Sequence, residues 1–306
     1  MSAGDKFRRL VKRAPPVQIP GVVNAYCALL AQKAGFKALY LSGAGVANAS
    51  FGLPDLGVTT LGDVLEDARR VTGATPLPLL VDVDTGFGGA FNIARTVREM
   101  ERAGVAAIHI EDQEQAKRCG HRPNKSTVPV DEMCDRLKAA VDARRDSAFV
   151  IMARTDAFAR EGRAASLDRV AAYVEAGADM IFAEALYTLD DYAAFTRAID
   201  VPVLANLTEF GLTPYFTVTE LKRAGVQLVL YPLSAFRAMS QAAQRVYETI
   251  RRDGTQRAVL DRMQTRDELY AVLDYLAYER KLDELDAKSP RAGGRGRKKR
   301  ARGRKA

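Results

Sequence analysis

One local pattern recurs eight times along this chain: a short apolar run that closes on a polar or charged residue, followed by a helical stretch. The runs are Gly21–Ala25, Ala38–Leu41, Leu79–Val83, Ala107–Ile110, Phe149–Ala153, Met180–Ala183, Pro202–Ala205 and Leu228–Tyr231. Their length and flanking turn residues predict buried strands. Between them, Phe91–Ala103, Pro129–Arg144, Ala164–Ala176, Leu189–Ile199 and Thr217–Ala224 are amphipathic with helical spacing. Several end in Ala-Gly just before the next run, at Ala34-Gly35, Ala103-Gly104, Ala176-Gly177 and Ala224-Gly225. Glycine there suits the left-handed residue that closes a helix. Eight strands with helical connections predict an α/β chain folded as a closed parallel (β/α)8 TIM-type barrel; an open doubly wound sheet is the alternative.

A barrel of this kind keeps its chemistry at the C-terminal ends of its strands. The residues standing there are Asn24, Ser42-Gly43, Asp82 with Asp84, Glu111, Arg154, Glu184, Asn206 with Thr208, and Ser234 after Tyr231. Every strand is punctuated by a polar group, which predicts a rim of functional side chains. Asp82 and Asp84 are two apart at a strand end, so their side chains are expected to leave on one side. Two hard carboxylates suit Mg²⁺, with Mn²⁺ as a substitute, while Asp55 and Glu111 act through metal-bound water. Arg154, Arg237, Asn206, Thr208 and the amides near Ser42 supply donors for a polyanionic small acid, since a guanidinium grips a carboxylate with two parallel hydrogen bonds. The glycine-rich stretch Thr85–Gly89 lacks a following Gly-Lys-Ser/Thr, so no nucleotide loop is expected.

The run ending in His109-Ile-Glu-Asp leads into Lys117-Arg-Cys-Gly-His-Arg-Pro-Asn-Lys125. Cys119 stands there among Lys117, Arg118, His121, Arg122 and Lys125, and positive surroundings favour thiolate over the free thiol's pKa of ~8.5. The alternative is a surface cysteine in a basic loop. His109 shares the parity of Glu111 and is expected in the core or behind the site.

Three cysteines (Cys27, Cys119, Cys134) without metal spacing, and no apolar leader or run of the ~18 residues a membrane span needs, predict a cytoplasmic protein with no membrane partner. With only His109 and His121, a zinc site is not expected. The net charge of +8 is concentrated in residues 287–306, which hold ten Lys/Arg and no acid, so residues 1–286 carry −2. That Gly/Arg-rich tail is expected to be disordered, with nucleic acid as a weak alternative partner. Residues 1–286 are expected to form the barrel plus two further helical stretches, Ala235–Arg252 and Thr265–Leu285. The second carries an apolar stripe of Leu269, Val272, Leu273, Leu276 and Leu282, which predicts burial on the barrel or in a homo-oligomer.

Several stretches together resemble the isocitrate lyase and phosphoenolpyruvate mutase superfamily. They are Tyr40-Leu-Ser-Gly, Gly52-Leu-Pro-Asp-Leu-Gly, His109-Ile-Glu-Asp-Gln, Lys117-Arg-Cys-Gly-His, Met152-Ala-Arg-Thr-Asp and Tyr231-Pro-Leu-Ser-Ala-Phe-Arg, within a match from about Val17 to Leu285. The resemblance implies Mg²⁺-dependent cleavage of 2-methylisocitrate to pyruvate and succinate in propionate catabolism, or of isocitrate to glyoxylate and succinate. It implies Asp82 and Asp84 as metal ligands, and Ser42, Gly43 and Ala44 at a substrate carboxylate. Arg154, Glu184, Asn206, Leu207, Thr208, Arg237 and Arg266 would complete the substrate pocket. Lys117, Cys119, Gly120 and His121 would form the catalytic loop, in a homotetramer built as a dimer of dimers with exchanged C-terminal helices. Ala44 departs from the glycine common in the superfamily. Such a cleavage needs a base for the substrate hydroxyl, for which Tyr40, Arg154 and Glu184 are candidates, and an acid for the departing carbanion, for which Cys119 is placed. Phe182 and Leu230 are the expected walls for the methyl group.

Overall fold

The computed structural model describes residues 1–115, 117 and 126–288. The predicted loop residues Cys119, Gly120 and His121 and the tail from Ser289 onward lie outside the described residues. The chain forms two compact units, Met1–Ala258 and Val259–Ala306.

The first unit holds eight parallel strands: β1 (Val17–Pro20), β2 (Leu39–Leu41), β3 (Leu79–Asp82), β4 (Ala107–Glu111), β5 (Val150–Thr155), β6 (Met180–Ala183), β7 (Val203–Asn206) and β8 (Leu228–Tyr231). Hydrogen bonding runs in the order β1-β8-β7-β6-β5-β4-β3-β2. The ends of that order meet at one parallel bridge, Gly21 with Tyr40, where Val22 N donates to Tyr40 O at 2.9 Å. The expected closed barrel is therefore nearly closed, with a seam between β1 and β2.

The helices in chain order are α1 (Ala3–Arg13), α2 (Ala25–Lys33), α3 (Gly43–Gly45, running into π-helical Val46–Ser50), α4 (Leu61–Ala74), α5 (Ala90–Arg102), α6 (Val130–Ala143), α7 (Phe158–Glu175), α8 (Leu189–Ala198), α9 (Val218–Arg223) and α10 (Ser234–Asp253). Four of them begin on a reciprocal cap, Ser2 with Asp5, Thr60 with Asp63, Thr188 with Asp191 and Thr217 with Glu220. Each pair satisfies amides that the first helical turn leaves unpaired. The Ala-Gly endings behave as expected: Gly35, Gly104, Gly177 and Gly225 all have positive φ. The second unit contains α11 (Arg266–Leu273) and α12 (Tyr275–Lys288). The single helix expected over Thr265–Leu285 is thus two, broken at Asp274 with φ 52°. Among the described residues no helix is long and apolar enough to cross a membrane.

The first strand lies four residues earlier than Gly21–Ala25, because Ala25 already opens α2 under the cap of Asn24, whose side chain accepts from Cys27 N at 2.9 Å. Pro20 obscured it, since proline cannot donate to a ladder. It is tolerated here because β1 has a full partner only in β8. The N-terminal helix α1 also escaped the periodicity. Its Phe7 and Val11 are buried with Val17, Ile19, Leu80, Val150, Met180, Leu204 and Leu228. This apolar layer fills the barrel at the N-terminal end of its strands. The opposite faces of the strands pack against the helices in a second, larger core containing Leu39, Leu41, Val81, Ile108, Ile151 and Ile181.

Candidate active site

Strand parity carries the barrel interior upward into the site. Residues two apart face one way, so Leu80 leads to Asp82, Ala107 to His109 and Glu111, Met152 to Arg154, Phe182 to Glu184, and Leu204 to Asn206. A cavity of about 80 Å³ at the C-terminal ends collects Tyr40, Ser42, Ala44, Asp55, Asp82, Lys117, Arg154, Phe182, Glu184, Asn206, Thr208, Leu230 and Arg237. A larger hollow of about 540 Å³ lies beyond Asp84 and Lys117, between Thr59, Thr85 and Arg95. The smaller cavity is the better candidate, because the polar strand ends converge on it.

Asp82 and Asp84 do come together, though not by strand alternation. β3 ends at Asp82, and Asp84 adopts φ 48°. That is an uncommon conformation for a residue with a side chain, of the kind that persists at functional sites. Asp82 Oδ1 accepts from Asp84 N at 3.0 Å and Asp82 Oδ2 from Gly43 N at 3.1 Å. A Cβ on Gly43 would stand 3.0 Å from Asp84 Oδ1 and 3.2 Å from Asp82 Oδ2, so both carboxylates face the same open backbone. Lys117 Nζ lies 2.6 Å from Asp84 Oδ1 and 2.7 Å from Asp55 Oδ1. Arg154 bridges Glu111 at 3.4 Å, Asp156 at 2.9 Å and Glu184 at 3.1 Å. Asn206 Nδ2 donates to both Glu184 oxygens at 3.2 Å.

Acid outweighs base here. Asp55, Asp82, Asp84, Glu111, Asp156 and Glu184 face Lys117 and Arg154. Burial, with Asp82 and Asp55 adding, pushes Asp84 up to about 6 against the opposing pull of Lys117. Burial also pushes Glu111 well above the usual carboxylate range. Burial alone would raise Asp82, but His109, Lys117 and Arg154 outweigh it and hold it at about 2. Burial keeps His109 neutral down to about 4. Near neutral pH, Lys117 and Arg154 therefore act on Asp82 and His109 does not. The upward shifts of Glu111 and Asp84 mark where further positive charge is lacking.

The residues fit a hard divalent cation. Among the described residues the buried Asp84 Oδ1 is met by the Lys117 ammonium but by no hydrogen-bond donor besides, and both buried Glu111 oxygens lack a hydrogen bond; oxygen ligands of this kind suit Mg²⁺. Among the described residues, however, no three Asp, Glu, His or Cys side chains already stand close enough to form a metal site.

His109 Nε2 lies 2.9 Å from Tyr40 OH, which also approaches Asp82 Oδ2 at 3.4 Å. The Tyr40 and His109 rings stack, and Arg154 lies over Phe182 at 5.0 Å. Arg237, in the first turn of α10, is half-exposed near Glu209. Ser234 opens α10 and donates to Glu209 rather than facing the cavity. The Leu207 side chain packs into the helix-facing core, not the cavity. Arg266 opens α11 in the second unit.

Two features were missed at the level of sequence. Asp156 holds Arg154 through both its oxygens, at 2.9 and 3.2 Å, and the spacing Arg154-Thr-Asp156 was the available signal. A clamp also secures the chain on either side of the Cys119 segment. Val128 N donates to Asp112 O at 2.8 Å and Glu114 N to Ser126 O at 3.1 Å, while Arg136 and Arg169 donate to Gln113 O and Val128 O. Both arginines are buried on helices α6 and α7. A charged residue at an inward helical position marks such a clamp in sequence.

Comparison with known proteins agrees with this geometry. Residues 7–251 match the family model described as phosphoenolpyruvate phosphomutase. A 2-methylisocitrate lyase of Shewanella oneidensis is 61% identical over 284 residues, covering 93% of this chain and 97% of that protein. The crystal structure of 2,3-dimethylmalate lyase, 35% identical, superposes with a TM-score of 0.86 over 96% of this chain and 98% of that one. A phosphonopyruvate hydrolase in complex with oxalate and Mg²⁺, 28% identical, gives 0.80 over 94% and 99%. The chain therefore belongs to the phosphoenolpyruvate phosphomutase family, on the 2-methylisocitrate lyase branch of the isocitrate lyase and phosphoenolpyruvate mutase superfamily.

Proposed function

We propose that this chain is a Mg²⁺-dependent carbon–carbon lyase that splits 2-methylisocitrate into pyruvate and succinate. The observation that carries this reading is the convergence of Asp82 and Asp84 over Gly43, beside an Arg154–Glu184–Asn206 fan that can receive carboxylates. Asp82 and Asp84 would hold the metal, with Asp55 and Glu111 behind its waters. Bound there, Mg²⁺ supplies the positive charge this acidic set lacks and polarises substrate oxygens.

The chain's own groups then have separable tasks. Ser42, the Gly43 and Ala44 amides, Asn206, Thr208 and Arg237 would orient the carboxylates. Arg154 drops out as a base, because Asp156, Glu111 and Glu184 outweigh its burial and keep it charged. Burial, with Asp82 adding, raises Tyr40 well above its usual range and keeps the phenol protonated. That leaves Glu184, which lines the cavity, to take the hydroxyl proton. As the carbon–carbon bond breaks, its electron pair stays on the succinate fragment, and Cys119 returns a proton to that carbon. His121 and Lys117 would tune the thiol.

Phe182 and Leu230 give the cavity an apolar wall, which favours the methylated substrate over isocitrate. A methyl is worth only about 1–3 kcal/mol, so isocitrate should turn over slowly. Pyruvate release from 2-methylisocitrate and glyoxylate release from isocitrate, each with Mg²⁺ and with EDTA, test both readings. No Mg²⁺-dependent release of either oxo-acid would overturn the assignment.

An oligomer is part of this reading. α10 is largely exposed along its 20 residues, including Met239, Tyr247 and Ile250. In the second unit Leu273, Leu276 and Leu282 are exposed as well. We infer a cytoplasmic homotetramer, a dimer of dimers that exchanges its C-terminal helices. A monomeric mass by light scattering would exclude it.

A further inference from the structure

We propose that Lys117 is a built-in counter-cation for the metal site: its ammonium group holds Asp84 and Asp55 until a divalent cation arrives, and the two cations then exclude one another. The inference rests on Asp82 and Asp84 being the metal-holding pair. Lys117 Nζ stands 2.6 Å from Asp84 Oδ1 and 2.7 Å from Asp55 Oδ1, and the side chain is buried. Its aliphatic stem packs against Gly57, where a Cβ would meet Lys117 Cγ at 3.4 Å. This is a seated side chain, not a surface lysine near an acid.

A cation bound to Asp84 at the usual ~2.0–2.1 Å for Mg²⁺ would have to share an oxygen with the ammonium. Two cations that close in a buried setting repel, so one must leave. Lys117 has somewhere to go. It lines both the central cavity and the larger hollow beyond Asp84, so rotation of its side chain would carry the ammonium from one to the other. The same seat explains why the described acids do not form a ready-made metal cluster: a cation of the chain already lies between Asp55 and Asp84. Metal arrival would thus move the ammonium out of the central cavity, coupling metal binding to the position of Lys117.

The test is Mn²⁺ binding, measured by calorimetry and by electron paramagnetic resonance, in the full-length protein and in Lys117→Met and Asp82→Asn variants. Lys117→Met should bind Mn²⁺ at least ten-fold more tightly, because its competitor is gone, and Asp82→Asn should lose binding. Unchanged or weaker binding in Lys117→Met, with binding lost in Asp82→Asn, would overturn the counter-cation while sparing the metal assignment. Binding retained in Asp82→Asn would overturn both. If Lys117→Met does not fold, reductive methylation of the wild-type protein gives the same decision. Lys117 should be protected in EDTA and labelled several-fold faster with Mg²⁺, relative to exposed Lys138. Labelling that Mg²⁺ leaves unchanged or slows would sink the proposal.

Discussion

The two ends of the barrel are made by the same strands and the same inward parity, yet they differ in kind. At the N-terminal end Leu80, Val150, Met180, Leu204 and Leu228 meet Phe7 and Val11 of α1 in an apolar layer. Two to four residues further along those strands, Asp82, Arg154, Glu184 and Asn206 face a cavity of compensating charges. The apolar end gains free energy by leaving water, roughly 25 cal/mol per Å². The charged end loses solvation and recovers it only through partners. One end supplies stability, and the other uses some of it to hold charges in an order that water alone would not favour.

That division can be broken first at the charged end. Cys119→Ser should lower kcat by roughly 10²–10⁴, the usual worth of a positioned general acid, with thermal stability and Mn²⁺ binding unchanged. Normal turnover would remove the thiol from the reaction. At the apolar end, Phe7→Ala should cost about 3–5 kcal/mol of unfolding free energy, seen in denaturant melts. Activity per folded molecule should be unaltered; a matching fall in kcat would show that the two ends are not separable.

Smaller effects sharpen the boundary between them. Leu230 belongs to both the barrel interior and the cavity wall. Leu230→Val removes one methylene, worth about 0.8 kcal/mol. Steady-state kinetics should show the kcat/KM preference for 2-methylisocitrate over isocitrate falling by about fourfold. An unchanged ratio would place the methyl elsewhere.

The smallest effect concerns a charge compensated locally at the loop clamp. Glu161 accepts from Arg169 at 2.7 Å through both oxygens and from Thr127, with the Arg169 hydrogen bond the main cause of its lowered pKa. A depressed carboxylate stabilises the fold above its unfolded value of 4.5, and that contribution is lost as pH falls through the lower folded value. Glu161→Gln should therefore cost about 1 kcal/mol at pH 7 and progressively less below pH 4.5 in urea melts. A cost independent of pH would mean that packing, not charge, is lost.

Much of this was legible before any coordinates. Seven of the eight strands fall where the apolar runs lie, and of the residues closing them Ser42, Asp82, Arg154, Glu184, Asn206 and Thr208 line one cavity, while Ser234 turns to Glu209 instead. The exception is instructive. Val17–Pro20 was hidden by Pro20, which matters only for strands with partners on both sides, and no local signal says that β1 stands at a seam.

What the amino-acid order determined by itself was periodic: which residues lie in strands, which face inward, and which polar group ends each strand. Those follow from near-neighbour geometry, a period of two in strands and 3.6 in helices. What only the tertiary structure decided was pairing across distance. Asp84 reaches Asp82 through a left-handed turn, Lys117 sits between Asp55 and Asp84, and Asp156 holds Arg154 between Glu111 and Glu184. Charges interact through space, so which acid meets which base, and which lacks a partner, depends on how the barrel closes.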